Sequence, residues 1–154
     1  MKNLVEKLPD QQPALRVMAM PPDTNQYGDV FGGWIMSQVD LAGSSIASRV
    51  ANSRTATVAV TSFTFKEPVW VGDVVSFYAT VLKVGTTSIT VDVTVFAERL
   101  HKDNHRIVKV TEAQLVFVAL NKDGRPQPVY RAGNPAPEKT EKKNIQQTSA
   151  DVFP

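Results

Sequence analysis

Between Trp34 and Ala51 the apolar residues Ile35, Val39, Ala42, Ile46 and Val50 recur at intervals of three and four, the pattern of an amphipathic helix with one buried stripe. At about 100° per residue, Asp40 falls on the flank of that stripe shared with Met36, Gly43 and Ala47, so its carboxylate borders the core. Downstream the period drops to two. "TATVAVTSFTF", "VVSFYATVLKV", "SITVDVTVFAE" and "RIVKVTEAQLVFVAL" are rich in β-branched and aromatic residues and predict four successive strands. Their boundaries are turn signals: Val71-Gly72-Asp73, the stretch Val84 to Thr87 around Gly85, the polar run His101 to His105, and Asn121 to Gly124. A short opening strand is expected over Ala14 to Ala19, stopped by Pro21 and Pro22, with a loop from Pro21 to Gly33.

This order of elements predicts an α+β domain in which an antiparallel sheet curls around one helix about 27 Å long. The domain is expected over residues 14–130, with an N-terminal tail over 1–13 and a flexible C-terminal tail over 131–154. The apolar Val152 and Phe153 near the end of that tail suggest a segment able to fold over a cleft. Strands such as "VVSFYATV" are apolar on both faces, so the sheet surface turned away from the helix is expected to meet a partner chain.

Composition narrows the chemistry. The chain has 154 residues, 42% of them hydrophobic, enough for one packed domain rather than two. A formal charge of +2 gives no basis for a nucleic-acid surface. The absence of cysteine excludes a disulfide framework, a thiolate metal site and a cysteine nucleophile. His101 and His105 lie in the polar run "LHKDNHR" and predict a turn rather than a metal-ligand pair. No segment has the length and polarity of a signal peptide or membrane span, so membrane insertion is not expected and a cytoplasmic location is.

The candidate chemistry lies in "MPPDTNQYGDVFGGWIMSQVDLAGSS". Gly32 and Gly33 stand where the helix begins, and its first N–H groups lack partners within the helix and can polarise a carbonyl. Lacking Cβ atoms, these glycines let the backbone approach a ligand closely. Deeper in the helix, Asp40 can activate a water or attack a carbonyl itself. Asn25 can orient the carbonyl or the water, and Ser44, one turn beyond Asp40, can hold the carboxylate.

With the spacing Asn25, Gly32-Gly33, Asp40, Ser44 and the later segments "FKEPVWVGD", "KVGTTSITVDV" and "VTEAQLVFVALNKDGRPQPV", residues 14–130 resemble the YciA-type acyl-CoA thioesterases of the hotdog fold. The resemblance implies hydrolysis of acyl-CoA to free fatty acid and CoA, with no cofactor beyond the CoA of the substrate. It implies a homodimer formed through the sheet, further assembled as a trimer of dimers, with active sites between subunits. In this reading Thr57, Val58 and Ala59 border the pantetheine arm. Basic side chains are expected at the CoA phosphates, and Arg54, Lys66, Arg99, Arg106 and Lys109 are the candidates. The family often carries Lys immediately before the proline of an F-x-x-P segment, whereas here Glu67 holds that place and Lys66 precedes it. Phe31, Trp34 and Met36 are candidates for an acyl pocket. Two other functions fit the same fold: a regulatory module that binds acyl-CoA without turnover, and a dehydratase or hydratase, which needs a histidine near the helix.

Overall fold

A computed structural model describes residues 3–101 and 104–138, so Val152 and Phe153, with the rest of 139–154, lie outside the described residues, as do Lys102 and Asp103 of the expected polar turn. Two short strands, β1 (Leu4–Val5) and β2 (Leu15–Met18), precede the helix α1 (Gly32–Ala51). Four long strands follow, β3 (Arg54–Phe65), β4 (Val74–Val84), β5 (Ser88–His101) and β6 (Asn104–Leu120). They form one antiparallel sheet in the order β1-β6-β5-β4-β2, with β3 also on β6. β6 serves two neighbours along one edge: β1 pairs with Ile107 and Val108, while β3 runs from Thr111 to Leu120.

Alternation along the strands builds the core. Ile89, Val91, Val93, Val95 and Ala97 of β5 all point inward and are fully buried, as are Val75 and Phe77 of β4. Against them lie Ile35, Val39, Ala42 and Ala47 from the apolar stripe of α1. Helix and sheet meet most closely at Gly43, where an added Cβ would stand 2.9 Å from Phe117 Cζ and 3.0 Å from its Cε2. Because Phe117 is itself fully buried, it has little room to yield. Gly43→Val is therefore expected to destabilise by about 2 kcal/mol through overpacking, read as a Tm lowered by about 5 °C in thermal unfolding.

The described residues of both expected tails make contacts with the domain. Leu4 and Val5 add a strand to β6, and Val5 and Leu8 cover Tyr78, Phe96 and Ile107 on the sheet face turned from the helix. Tyr78, on the outer face of β4, is thus covered by the chain's own N-terminal segment, while Leu82 near the end of the strand stays 54% exposed. Only apolar periodicity across a longer window would have announced this, and a two-residue strand carries none. At the other end, Asn52 ends α1 in the left-handed conformation with φ 45°. Arg131 donates to the carbonyls of Ala51 and Asn52, and Asn134 to those of Val50 and Ala51. These bonds satisfy the last carbonyls of the helix, and Arg131 also puts a positive charge at its negative end.

The long strand β3 pairs with β6 alone among the described residues. It is exposed over most of its length, with Val58 at 57% and Val60 at 47%, and two bulges, after Thr57 and Val60, re-aim its side chains.

Candidate active site

Asp40 is positioned by the meeting of α1 and β3. Thr55 and Thr57 stand opposite Ala119 and Phe117 of β6, both buried on the inner face, so their side chains turn toward the helix. Thr57 Oγ1 donates to Asp40 Oδ1 at 2.6 Å, a short bond of the charge-assisted kind. One helical step of eight residues further, Ser48 Oγ and Thr55 Oγ1 lie 2.9 Å apart. Ser44 falls midway between Asp40 and Ser48 on this stripe of α1 facing β3. The Thr57 bond fixes one oxygen of the carboxylate and leaves Oδ2 to meet a water or a substrate. Thr57 is itself exposed, and Val58 and Ala59 continue the exposed run along the open strand.

The helix begins at Gly32, two residues before the apolar pattern does. Phe31 is its N-cap and makes no side-chain capping bond; its carbonyl accepts from the N–H groups of Trp34 at 3.0 Å and Ile35 at 3.3 Å. The N–H groups of Gly32 and Gly33 precede the first intrahelical bonds, and nothing stands within 4 Å of a Cβ built on Gly33. The preceding loop is anchored by Phe31 N to Asp23 O and Val30 N to Val69 O. Asn25 shapes this loop: its Oδ1 accepts from the N–H groups of Tyr27 and Asp29, an Asx turn completed by Gly28 at φ 86°. Only the amide nitrogen of Asn25 stays out of that turn.

The expected acyl-pocket residues do not converge. Phe31 and Met36 are exposed and Trp34 packs against the main core. The apolar cavity at the helix start, about 380 Å³, lies instead between Gly32 and Ile35 of α1, Val30, Phe65 and the segment 66–69. The five candidate phosphate cations separate as well. Arg99 turns inward, 8% exposed, bonding Asp73 Oδ2 at 3.3 Å and Pro68 O and stacking on Trp70 at 3.9 Å, so it is a structural clamp rather than a phosphate ligand. Arg54 lines a second cavity with Lys122 and Arg131 at the far end of the helix. Arg106 lies opposite Arg99 on β6. Lys66 and Lys109 do meet, each on one oxygen of Glu112, at 2.8 and 2.7 Å. His105 bonds Glu98 on the β5–β6 hairpin, away from the helix.

Those lysines hold Glu112 below its ordinary value of 4.5 by hydrogen bonding, whereas burial, and then the Glu112 charge, push the nearby Asp92 above 3.8. A raised carboxylate pKa means that the fold favours the protonated form. The stability this proton confers is full below 3.8 and is lost as pH rises through the higher folded value. Glu112 acts in the opposite sense, stabilising above 4.5 and losing that effect as pH falls through its lowered value. Asp92→Asn is expected to raise Tm by about 1–2 °C at neutral pH and to confer no gain in acid, as calorimetry across pH would report.

Comparison with known proteins fits this geometry. The model of the thioesterase superfamily matches residues 27–102. The acyl-CoA thioester hydrolase YciA of Salmonella typhimurium is 43% identical over 126 residues, covering 81% of this chain and 95% of that protein. HI0827, a hexameric broad-specificity acyl-coenzyme A thioesterase, superposes with a TM-score of 0.75 at 42% identity, covering 83% of this chain and 87% of that one. Its structure is also known with an aspartate changed to alanine. An acyl-CoA hydrolase from Staphylococcus aureus, solved with butyryl coenzyme A and coenzyme A, superposes with a TM-score of 0.67 at 28% identity. That match covers 74% of this chain and 68% of the other, and alanine mutants of one aspartate and one asparagine of that protein have been solved. Fold, helix-borne carboxylate and these likenesses agree: the chain belongs to the YciA family of hotdog-fold acyl-CoA thioester hydrolases.

Proposed function

We propose that Asp40 is the catalytic carboxylate of this hydrolase, acting as general base or nucleophile, with Thr57 holding its Oδ1 and the N–H groups of Gly32 and Gly33 polarising the thioester carbonyl. The observation that carries this reading is the 2.6 Å bond from Thr57 to Asp40, which orients a carboxylate on the helix flank and leaves its second oxygen available. Asn25 contributes its amide nitrogen, which the Asx turn does not use. In the S. aureus hydrolase the mutated asparagine and aspartate lie fifteen residues apart, the separation of Asn25 and Asp40 here, which supports pairing them in one site. Ser44 lies beside the carboxylate as a lesser contributor.

The complete site is proposed to form between two copies. Gly32 and Asp40 are eight residues apart, about 12 Å along one helix, whereas a carbonyl held by an N–H and attacked by a carboxylate spans only about 7 Å, or about 10 Å with an activated water between them. Asp40 of one copy facing the helix start of a second closes that gap. The open edge of β3, next to Thr57, is suited to sheet continuation between copies, and HI0827 is hexameric. Homodimers grouped as a trimer are therefore the proposed assembly, around a catalytic unit of residues 14–130. Lys66, Lys109, Arg54 and Arg106 remain the proposed contacts for the CoA phosphates. A cytoplasmic location and the absence of a nucleic-acid partner belong to the same reading; no helix among the described residues is long and apolar enough to cross a membrane.

Release of CoA thiol from acyl-CoA esters tests these roles against no thiol background, since the chain has no cysteine. Thr57→Val is expected to lower kcat about tenfold with KM little changed, the loss of one hydrogen bond to a charged group. An unaltered kcat would remove Thr57 from the site.

A further inference from the structure

We infer that Phe65 sets the length and bulk of the acyl chain that the enzyme accepts, an inference that rests on the helix start as the site of the thioester carbonyl. The cavity beside that start has Gly32 on its rim, so an acyl group whose carbonyl meets the Gly32 N–H has its first carbons at the cavity mouth. Val30, Ile35 and Val69, all three buried, and the rigid ring of Pro68 form apolar wall, and the charged residues Lys66 and Glu67 complete the lining. Phe65 differs from these walls. It is 49% exposed, and it is the largest side chain lining the space.

The position of the ring is tightly bounded. A Cβ on Gly32 would stand 3.2 Å from Phe65 Cζ, so the tip of the ring rests on the backbone that presents the carbonyl-binding N–H. Behind it Phe63, which packs against the main core, lies 4.9 Å away centroid to centroid. Immediately after Phe65 the strand ends, because the N–H groups of Lys66 and Glu67 both bond to Val110 O and the chain turns into the clamped segment 66–73. The ring is thus held between a neighbouring ring and the helix start, with its free face toward the cavity. An acyl chain extending from Gly32 runs along that face, and the ring's volume limits how far and how wide it extends.

Activity on acyl-CoA esters from acetyl to palmitoyl, measured as kcat/KM for wild type, Phe65→Ala and Phe65→Trp, tests the inference. Phe65→Ala is expected to raise the ratio of long-chain to short-chain kcat/KM at least about tenfold, and Phe65→Trp to lower it comparably, the scale of one to two methylenes in an apolar pocket. Because Phe65 is half exposed near the end of an outer strand, both variants are expected to fold, and unchanged circular dichroism checks this. Profiles that keep the wild-type shape, with all esters scaled alike in both variants, would overturn the inference. An Asp40→Ala control run on the same panel separates the two failures: activity that persists there refutes the site, while a flat Phe65 response with an Asp40-dependent rate refutes only the specificity role.

Discussion

Asp40→Ala is expected to lower kcat for acyl-CoA hydrolysis about a thousandfold, within the range that a positioned general base contributes, while leaving the fold unchanged. The carboxylate is half-buried at the edge of the helix–sheet contact, and its recorded partner is a threonine hydroxyl rather than a cation. Its removal therefore strands no opposite charge. Asp40→Asn is the sharper test, since it keeps the size and the oxygen that Thr57 bonds but cannot take a proton or attack as a carboxylate. Both variants are expected to bind CoA esters with little change in affinity and to release almost no thiol. Near-wild-type turnover in either would sink Asp40 as the catalytic group and leave the helix-start N–H groups with a water of some other origin.

The largest expected effect on stability comes from Arg99→Ala, at about 3–5 kcal/mol, or a Tm lower by about 10 °C. Arg99 and Asp73 have side chains 9% and 5% exposed, so deleting the guanidinium leaves a carboxylate in the interior without its countercharge. Asp73 Oδ2 also accepts from Trp70 N at 3.0 Å, and Arg99 stacks on the same Trp70, so one pair closes the whole segment 66–73. That segment bonds Val30 just ahead of the helix and forms one wall of the acyl cavity. Loss of the clamp is thus expected to raise KM as well as to destabilise. In a double-mutant cycle, Asp73→Asn combined with Arg99→Ala is expected to cost less than the sum of the single changes. Additive losses would show that the pair is not coupled.

Most of the fold was legible along the chain, because β4, β5 and β6 bury residues of one face in the core and each long strand has a turn at its end. The alternation of Ile89, Val91, Val93 and Val95 is local information, and so is the stripe that runs from Ile35 to Val50. The placing of Gly32-Gly33 at the start of the helix and of Asp40 on its flank was legible for the same reason. What the sequence by itself determined is therefore the set of elements, the face each one buries, and the carboxylate on the helix flank.

Only the tertiary structure decided which side chains meet across elements. Thr57 was expected to border the pantetheine arm, and the register of β3 on β6 also sets its hydroxyl on Asp40, seventeen residues away. Arg99 reads as a surface cation, yet Asp73, twenty-six residues earlier, draws it inward. Phe65 opens the F-x-x-P segment, but nothing local in that segment places its ring against Gly32, a contact between two segments that periodicity treats separately. Periodicity records how one segment partitions between water and core; it holds no information on distances between segments, and those are set by strand register, bulges and the close approach of helix to sheet.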